Sequence, residues 1–159
     1  MAMTPLLLVT SFLVAGGPCD SVTAVNRAVA DYVQAHLGKK VDRGECWDLA
    51  AFALNEAGAK WDGLHGFGTL VDPSKDCLMP GDIIQFEGVL LEQRTATSVR
   101  QESYGHHTAI VMEVHADGTL RIGHQNQGFT GRKVGISDLD PNDVVKGTCT
   151  YYRPLADLP

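Results

Sequence analysis

The chain has 159 residues, of which 44% are hydrophobic and 20% are charged. These proportions are typical of one globular domain and exclude a disordered tail, a coiled coil and a collagen-like fibre. Thirteen lysines and arginines against nineteen aspartates and glutamates give a net charge of -6 at pH 7. Because an acidic surface repels phosphate groups and anionic lipids, we expect neither nucleic acid nor a membrane surface as the main partner.

The first twenty residues contain a short apolar run that begins at Pro5 and ends at Ala15. This run is too short to cross a bilayer, so we expect no membrane insertion. It has the length of the hydrophobic part of a secretory signal, but the positive residues that normally precede that part are missing. Residues 1–20 are therefore interpreted either as a signal-like segment of an exported or periplasmic protein, or as an apolar segment of a cytoplasmic one. Residues 21–159 are interpreted as a single domain.

Two helices are predicted in the first third of the chain. Ser21 can cap a first helix, whose apolar residues recur at helical spacing until Gly38 ends it. A second helix is predicted over residues 46–57, with a face of small apolar residues that can pack closely against a sheet. Residues 61–80 carry the glycines and prolines that are typical of a loop.

The second half of the chain alternates apolar strands with polar turns. The predicted strands are residues 83–86, 89–91, 107–115, 119–124 and 148–152. Asp117-Gly118 is a strong hairpin signal between the third and the fourth of them, and the polar stretch 93–105 is predicted to separate the second from the third. Helices followed by antiparallel strands indicate the α+β class, with the helices packed on one side of an antiparallel β-sheet.

Cys46 lies where the second helix is predicted to begin. A cysteine nucleophile must be a thiolate, and the free amides and the dipole of a helix N-terminus favour that anion. The same amides can hydrogen-bond the oxyanion of a tetrahedral intermediate. The alternative is a small thiol packed in the core, which is the usual role of an isolated cysteine.

A cysteine nucleophile needs a base, and His107 opens the most apolar strand of the chain. Because side chains alternate across a strand, His106 is expected to point to the opposite face, so only one of the two reaches the site. The returning strand places His124 and Asn126 level with His107 and on one face, where either side chain can orient the imidazole. The alternatives are a structural histidine in the core and an asparagine that serves a turn.

Four short segments carry a family resemblance: GECW at 44–47, PGDII at 80–84, HTAIV at 107–111 and GHQN at 123–126. In this order they resemble the motifs of the NlpC/P60 superfamily, and more closely those of its CHAP amidase branch. The resemblance implies a papain-like α+β core, with the cysteine at a helix N-terminus and the histidine on the following antiparallel sheet. It also implies Cys46 as the nucleophile, His107 as the general base, and His124 or Asn126 as the third catalytic residue.

Three positions depart from the CHAP pattern. His124 stands where that branch places an acidic residue, although a histidine there is usual in the NlpC/P60 branch. His106 replaces the glycine that precedes the catalytic histidine. Glu45 replaces a glutamine, and an acidic group beside Cys46 opposes the formation of a thiolate.

The resulting prediction is a cysteine-dependent hydrolase, either an amidase or an endopeptidase, that cleaves an amide bond through a thioester acyl-enzyme. We expect a peptide or a peptidoglycan-type amide as its substrate, a monomer, and no cofactor or metal. One alternative is a catalytically degenerate binding or structural domain of the same fold, which Glu45 and His124 favour. The other is a zinc site in which Cys46 joins His107, His124 or Asp82 as ligands.

Overall fold

The computed structural model of the protein describes residues 21–128 and 131–157. Two helices precede the strands in this part of the chain: α1 (Ala24–Ala35) and α2 (Cys46–Glu56). The strands are β1 (Ala59–Lys60), β2 (Thr69–Val71), β3 (Ile83–Arg94), β4 (Val99–Val114), β5 (Leu120–His124), β6 (Gly135–Leu139), β7 (Val144–Arg153) and β8 (Leu155–Ala156). The predicted order of helices first and strands second is therefore confirmed.

Six of the strands form one antiparallel sheet in the order β2-β7-β3-β4-β5-β6, and β1 pairs separately with β8. The two helices pack on one face of this sheet, in a hydrophobic cluster that includes Val29, Leu54 and Ile110. A second cluster, which includes Ile84 and Phe86, fills the other face. Because the centre of the sheet is buried on both faces, its strands have continuous apolar runs, and the predicted α+β arrangement is confirmed.

The helix boundaries follow from local capping. Thr23 caps α1, because its Oγ1 accepts a hydrogen bond from the Asn26 backbone N–H at 3.1 Å, so the predicted cap at Ser21 is wrong by two positions. The start of α2 at Cys46 is as predicted. The Asp48 side chain stabilises that start by accepting a bond from the Glu45 N–H at 3.0 Å.

The predicted strand boundaries in the second half of the chain are partly wrong. The polar stretch 93–105 does not separate two strands, because β3 and β4 continue through it as one long hairpin that turns at residues 95–98. The outer end of this hairpin is exposed and has polar side chains, which are also typical of loops. The short strand β2, inside the predicted loop 61–80, and strand β6 were also not predicted.

Asp82 links α1, the turn before β3, and β7. Its fully buried carboxylate accepts hydrogen bonds from Asn26 Nδ2 at 2.8 Å, Met79 N at 3.0 Å, and Arg153 Nε and Nη2 at 3.1 and 2.9 Å. A side chain at Gly81 would meet the Asn26 carbonyl oxygen at 2.0 Å, so glycine allows the helix to approach this turn. Asp82 therefore has a structural role.

The interpretation of residues 1–20 as a signal-like or apolar segment lies outside the described residues. Within residues 21–128 and 131–157, no helix has both the length and the hydropathy needed to cross a membrane.

Candidate functional site

Cys46 is the first residue of α2, and the loop that leads to it is held by Gln125. Gln125 is fully buried, and its Nε2 donates to the carbonyl oxygens of Val41 at 3.0 Å and of Glu45 at 2.7 Å. Its Oε1 accepts from the Val41 N–H at 3.2 Å. Sequence reasoning assigned Gln125 no role. One signal in the sequence was its position directly after His124. Because side chains alternate along a strand, residue 125 is expected to point to the face opposite to that of His124.

The environment of the Cys46 thiol does not favour a thiolate. Burial raises the pKa of this thiol above its ordinary value. The backbone N–H groups of Thr108 and Trp47 point at the sulfur and lower the pKa, while the negative charge of Glu45 raises it, and the net change is upward. The effect expected from the helix N-terminus is therefore smaller than the cost of removing the charged sulfur from water.

His107 and His124 form a buried pair. His107 Nε2 lies 3.0 Å from His124 Nδ1, and His124 Nε2 lies 3.0 Å from Ser137 Oγ. The Tyr104 ring stacks on His107 with 5.1 Å between centroids. Burial and the neighbouring histidines 124 and 106 lower the pKa of His107 to about 3. Burial lowers the pKa of His124 to about 4, so both rings are neutral at pH 7.

Asn126 does not share a face with His124, in contrast to the expectation from the sequence. Strand β5 ends at His124, and Asn126 adopts a left-handed conformation with φ of 61°, which asparagine tolerates better than most residues. Its Nδ2 donates to Glu45 Oε2 at 2.6 Å, and Arg132 Nη1 lies 2.5 Å from Glu45 Oε1. The structure thus brings His124 to His107 and takes Asn126 to Glu45.

Cys46 and His107 line the same open cavity of about 440 Å³, which we call the cleft. Trp47 and Leu64 form its apolar wall, where Trp47 Nε1 donates to the Leu64 carbonyl oxygen at 2.5 Å. No hydrogen bond between the Cys46 thiol and His107 is present in the described part of the chain. A larger cavity, of about 960 Å³, contains none of the four predicted site residues among its described lining.

The zinc alternative finds no ligand set. Among residues 21–128 and 131–157, no three side chains of histidine, cysteine, aspartate or glutamate converge so that they could hold a metal ion. Asp82, one of the suggested ligands, instead binds Arg153 and Asn26.

The family of the chain follows from its similarity to known proteins. A family described as the AIM3/BBC1 cysteine proteinase-fold domain matches residues 20–158. The chain belongs to this family. It is also 28% identical over 145 residues to the Altered inheritance of mitochondria protein 3 of Debaryomyces hansenii. The aligned region covers 80% of this chain and 15% of that relative, and no solved structure is significantly similar.

Family membership confirms the papain-like, cysteine proteinase-like fold, but it does not extend to the NlpC/P60 superfamily or its CHAP branch. The prediction of a cysteine-dependent hydrolase, and with it of an enzyme, is wrong. The family is described by a proteinase fold, and the matched relative is named for the inheritance of mitochondria and not for a reaction. An amidase activity and a peptidoglycan substrate have no support, and the neutral states of Cys46 and His107 agree with this correction.

Proposed function

We propose that this chain is a non-catalytic binding domain that holds a peptide segment of a protein partner in the cleft beside Cys46. The observation that carries the proposal is that Cys46 and His107 line one cleft without a hydrogen bond between the thiol and the imidazole among the described residues. Burial raises the pKa of the thiol, and it lowers the pKa of His107 to about 3. The cleft therefore lacks the pair of thiolate and imidazolium that cysteine catalysis needs.

Two further features oppose nucleophilic chemistry at this position. Glu45 places a negative charge next to the sulfur and makes its ionisation more costly. His107 is only 4% exposed, and this burial disfavours the imidazolium that would form when it takes up the thiol proton. A buried base whose pKa is lowered accepts the thiol proton less readily near pH 7 than an exposed histidine does.

The walls of the cleft favour an apolar side chain as the anchor of the bound peptide. Leu64 is 67% exposed at the cleft wall, and an exposed apolar residue beside a concave surface is typical of a binding site. Trp47, next to it, packs against Trp61 with 5.7 Å between ring centroids. Aromatic residues of this kind often carry much of the binding energy in protein interfaces.

The size of the relative supports the role of a module within a larger protein. The chain spans 15% of the length of the relative that it matches. We infer that a domain of this kind contributes recognition, and not chemistry, to a protein involved in the inheritance of mitochondria. The order of the four short segments supports a finer likeness between this papain-like core and the NlpC/P60 type.

The absence of an activated thiol is tested by alkylating the unreduced chain with iodoacetamide between pH 5 and pH 9 and locating the adducts by mass spectrometry. Cys149 is the matched control, because it is a second free cysteine whose pKa is raised by burial to about 11. Cys77 is disulfide-bonded and does not compete. We expect no alkylation of Cys46 below pH 7, and no change in its rate in His107→Ala. Fast labelling of Cys46 at pH 6 that is lost in His107→Ala would overturn the proposal.

Binding itself is tested by selecting peptides from a displayed random library on the 159-residue chain and measuring the affinity of the selected peptides by calorimetry. Leu64→Asp is expected to weaken binding by about 10-fold or more, because it places a charge on the apolar wall. Leu70→Asp is the matched control, since Leu70 is 66% exposed but does not line the cleft. Cys46→Ser is expected to keep the affinity. Failure to select any peptide, or equal losses in the two aspartate variants, would contradict peptide binding in the cleft.

A further inference from the structure

A second pair of histidines lies at the mouth of the cleft, outside the buried pair. His65 Nε2 and His106 Nε2 lie 3.1 Å apart, with 4.9 Å between the ring centroids and 72° between the ring planes. Both residues are exposed and line the cleft. Because His107 also lines it, the expectation that only one of histidines 106 and 107 reaches the site is wrong. The other ring nitrogen of His106, Nδ1, faces the Glu87 carboxylate, with its Oε1 at 2.8 Å and its Oε2 at 3.0 Å.

We propose that His65 and His106 together bind a divalent transition-metal ion of the Cu²⁺, Ni²⁺ or Zn²⁺ type through their Nε2 atoms, with water completing the coordination. Imidazole nitrogen is a ligand that all three of these ions favour. The site would hold one ion, and it is independent of any reaction at Cys46.

The distance between the two nitrogens suits such an ion. Metal–nitrogen bonds of about 2.0–2.1 Å place two neighbouring nitrogen ligands about 2.8 Å apart in square-planar geometry and about 3.4 Å apart in tetrahedral geometry. The separation of 3.1 Å between His65 and His106 falls between these two values. The two nitrogens are therefore already at a separation that one ion can bridge.

The neighbours of His106 prepare its Nε2 for a metal ion. Because Nδ1 donates its proton to Glu87, the lone pair of the neutral ring lies on Nε2. A metal-binding histidine commonly has a carboxylate on its other nitrogen, which fixes the tautomer and makes the ligand more basic. Gln85 in turn orients Glu87, since its Nε2 donates to Glu87 Oε1 at 3.0 Å.

His65 is held in place by the turn that contains it. Asp62 Oδ1 accepts hydrogen bonds from the backbone N–H groups of Leu64 at 2.7 Å and Gly66 at 3.0 Å. The Trp47 indole donates to the Leu64 carbonyl from the side of α2. In the metal-free pair the His65 Nε2–H donates to His106 Nε2. Metal binding moves this proton to Nδ1 of His65, so the neutral pair releases no net proton.

The limited number of protein ligands sets the expected affinity and selectivity. The other described residues supply no third ligand at this point. The affinity is therefore expected to be moderate, to follow the order in which Cu²⁺ exceeds Ni²⁺ and Zn²⁺, and to be undetectable for Mg²⁺ and Ca²⁺, which prefer oxygen ligands.

The test is isothermal titration of Cu²⁺, Ni²⁺, Zn²⁺ and Mg²⁺ into the 159-residue chain in a buffer that does not bind metals. We expect one ion per chain, with the affinity reduced by about 10-fold or more in His65→Ala and in His106→Ala. Glu87→Gln is expected to weaken binding by about 10-fold, the lower end of the range for partners of metal-binding histidines. His115→Ala is the matched control, because His115 is also exposed but lies outside the cleft, and it should not change the affinity.

Electron paramagnetic resonance of the Cu²⁺-loaded chain identifies the ligands directly. Two imidazole nitrogens are expected to couple to the copper in the natural chain, and a single one in either alanine variant. Binding that persists in the His65→Ala/His106→Ala double variant, binding that His115→Ala removes, or no stoichiometric binding of Cu²⁺ would each overturn the proposal. Because both histidines are exposed, matching circular dichroism spectra are expected to show that the variants fold.

Discussion

Two pairs of histidines have similar contact distances but differ in burial, because strand β4 places one member of each pair on a different face of the sheet. The buried pair, His107 and His124, has ring nitrogens 3.0 Å apart, and the exposed pair, His65 and His106, has them 3.1 Å apart. His107 is 4% exposed, whereas the side chain of His106 is 56% exposed. The contact distance alone therefore does not decide what a histidine pair can do. Burial keeps the first pair neutral, whereas exposure leaves the second accessible to ligands from solvent.

This difference arises between adjacent residues. Positions 106 and 107 follow each other in β4, so their side chains leave opposite faces of the sheet. His107 enters the core beside Phe86 and Tyr104, and His106 emerges beside Glu87. We expect three measurements of stability to distinguish the two pairs.

The largest expected effect is that of His124→Leu on stability. His124 is fully buried, and its loss leaves His107 Nε2 without a partner in the core. Because an unsatisfied buried polar group costs about 1 to 3 kcal/mol, we expect the free energy of unfolding to fall by about 2 kcal/mol. Urea unfolding followed by circular dichroism measures this change. A loss below about 1 kcal/mol would mean that the buried pair is not an essential part of the core.

The second prediction concerns the dependence of stability on pH. Burial lowers the pKa of His107 to about 3 and that of His124 to about 4, and the ordinary value in an unfolded chain is about 6.5. The unfolded chain therefore binds more protons than the folded chain between these values. The stabilisation is fully present above pH 7 and is lost as the pH falls. We expect a loss of about 1 to 2 kcal/mol per histidine between pH 7 and pH 5.

Urea unfolding at a series of pH values measures this dependence, and His124→Leu provides the comparison. Removal of one buried histidine should make the curve between pH 7 and pH 5 less steep. A curve that is equally steep in the variant would attribute the pH dependence to other groups.

The smallest expected effect is that of His106→Ala on stability. The side chain of His106 is exposed and its contacts to Glu87 and His65 are accessible to water, so we expect the free energy of unfolding to change by less than about 0.5 kcal/mol. The measurement is again urea unfolding at pH 7. A change as large as that of His124→Leu would show that the two pairs do not differ as their burial indicates.

The sequence by itself determined the features that depend on neighbouring residues. The start of α2 at Cys46 and the hairpin at Asp117-Gly118 follow from capping and turn preferences that act over a few positions. The alternation between positions 106 and 107 follows from the geometry of a single strand. The α+β order and the papain-like fold could be predicted from such local signals and from the four short segments.

Only the tertiary structure decided which polar groups meet. His124 reaches His107 while Asn126 turns away to Glu45, because the backbone leaves the strand between them. His65 meets His106 across 41 positions of the chain, and no local pattern predicts that contact. The protonation states of Cys46 and His107 also belong to this level, since burial is a property of the packed core. A pattern of residue types specifies which groups are available, and packing determines their neighbours and their exposure to water.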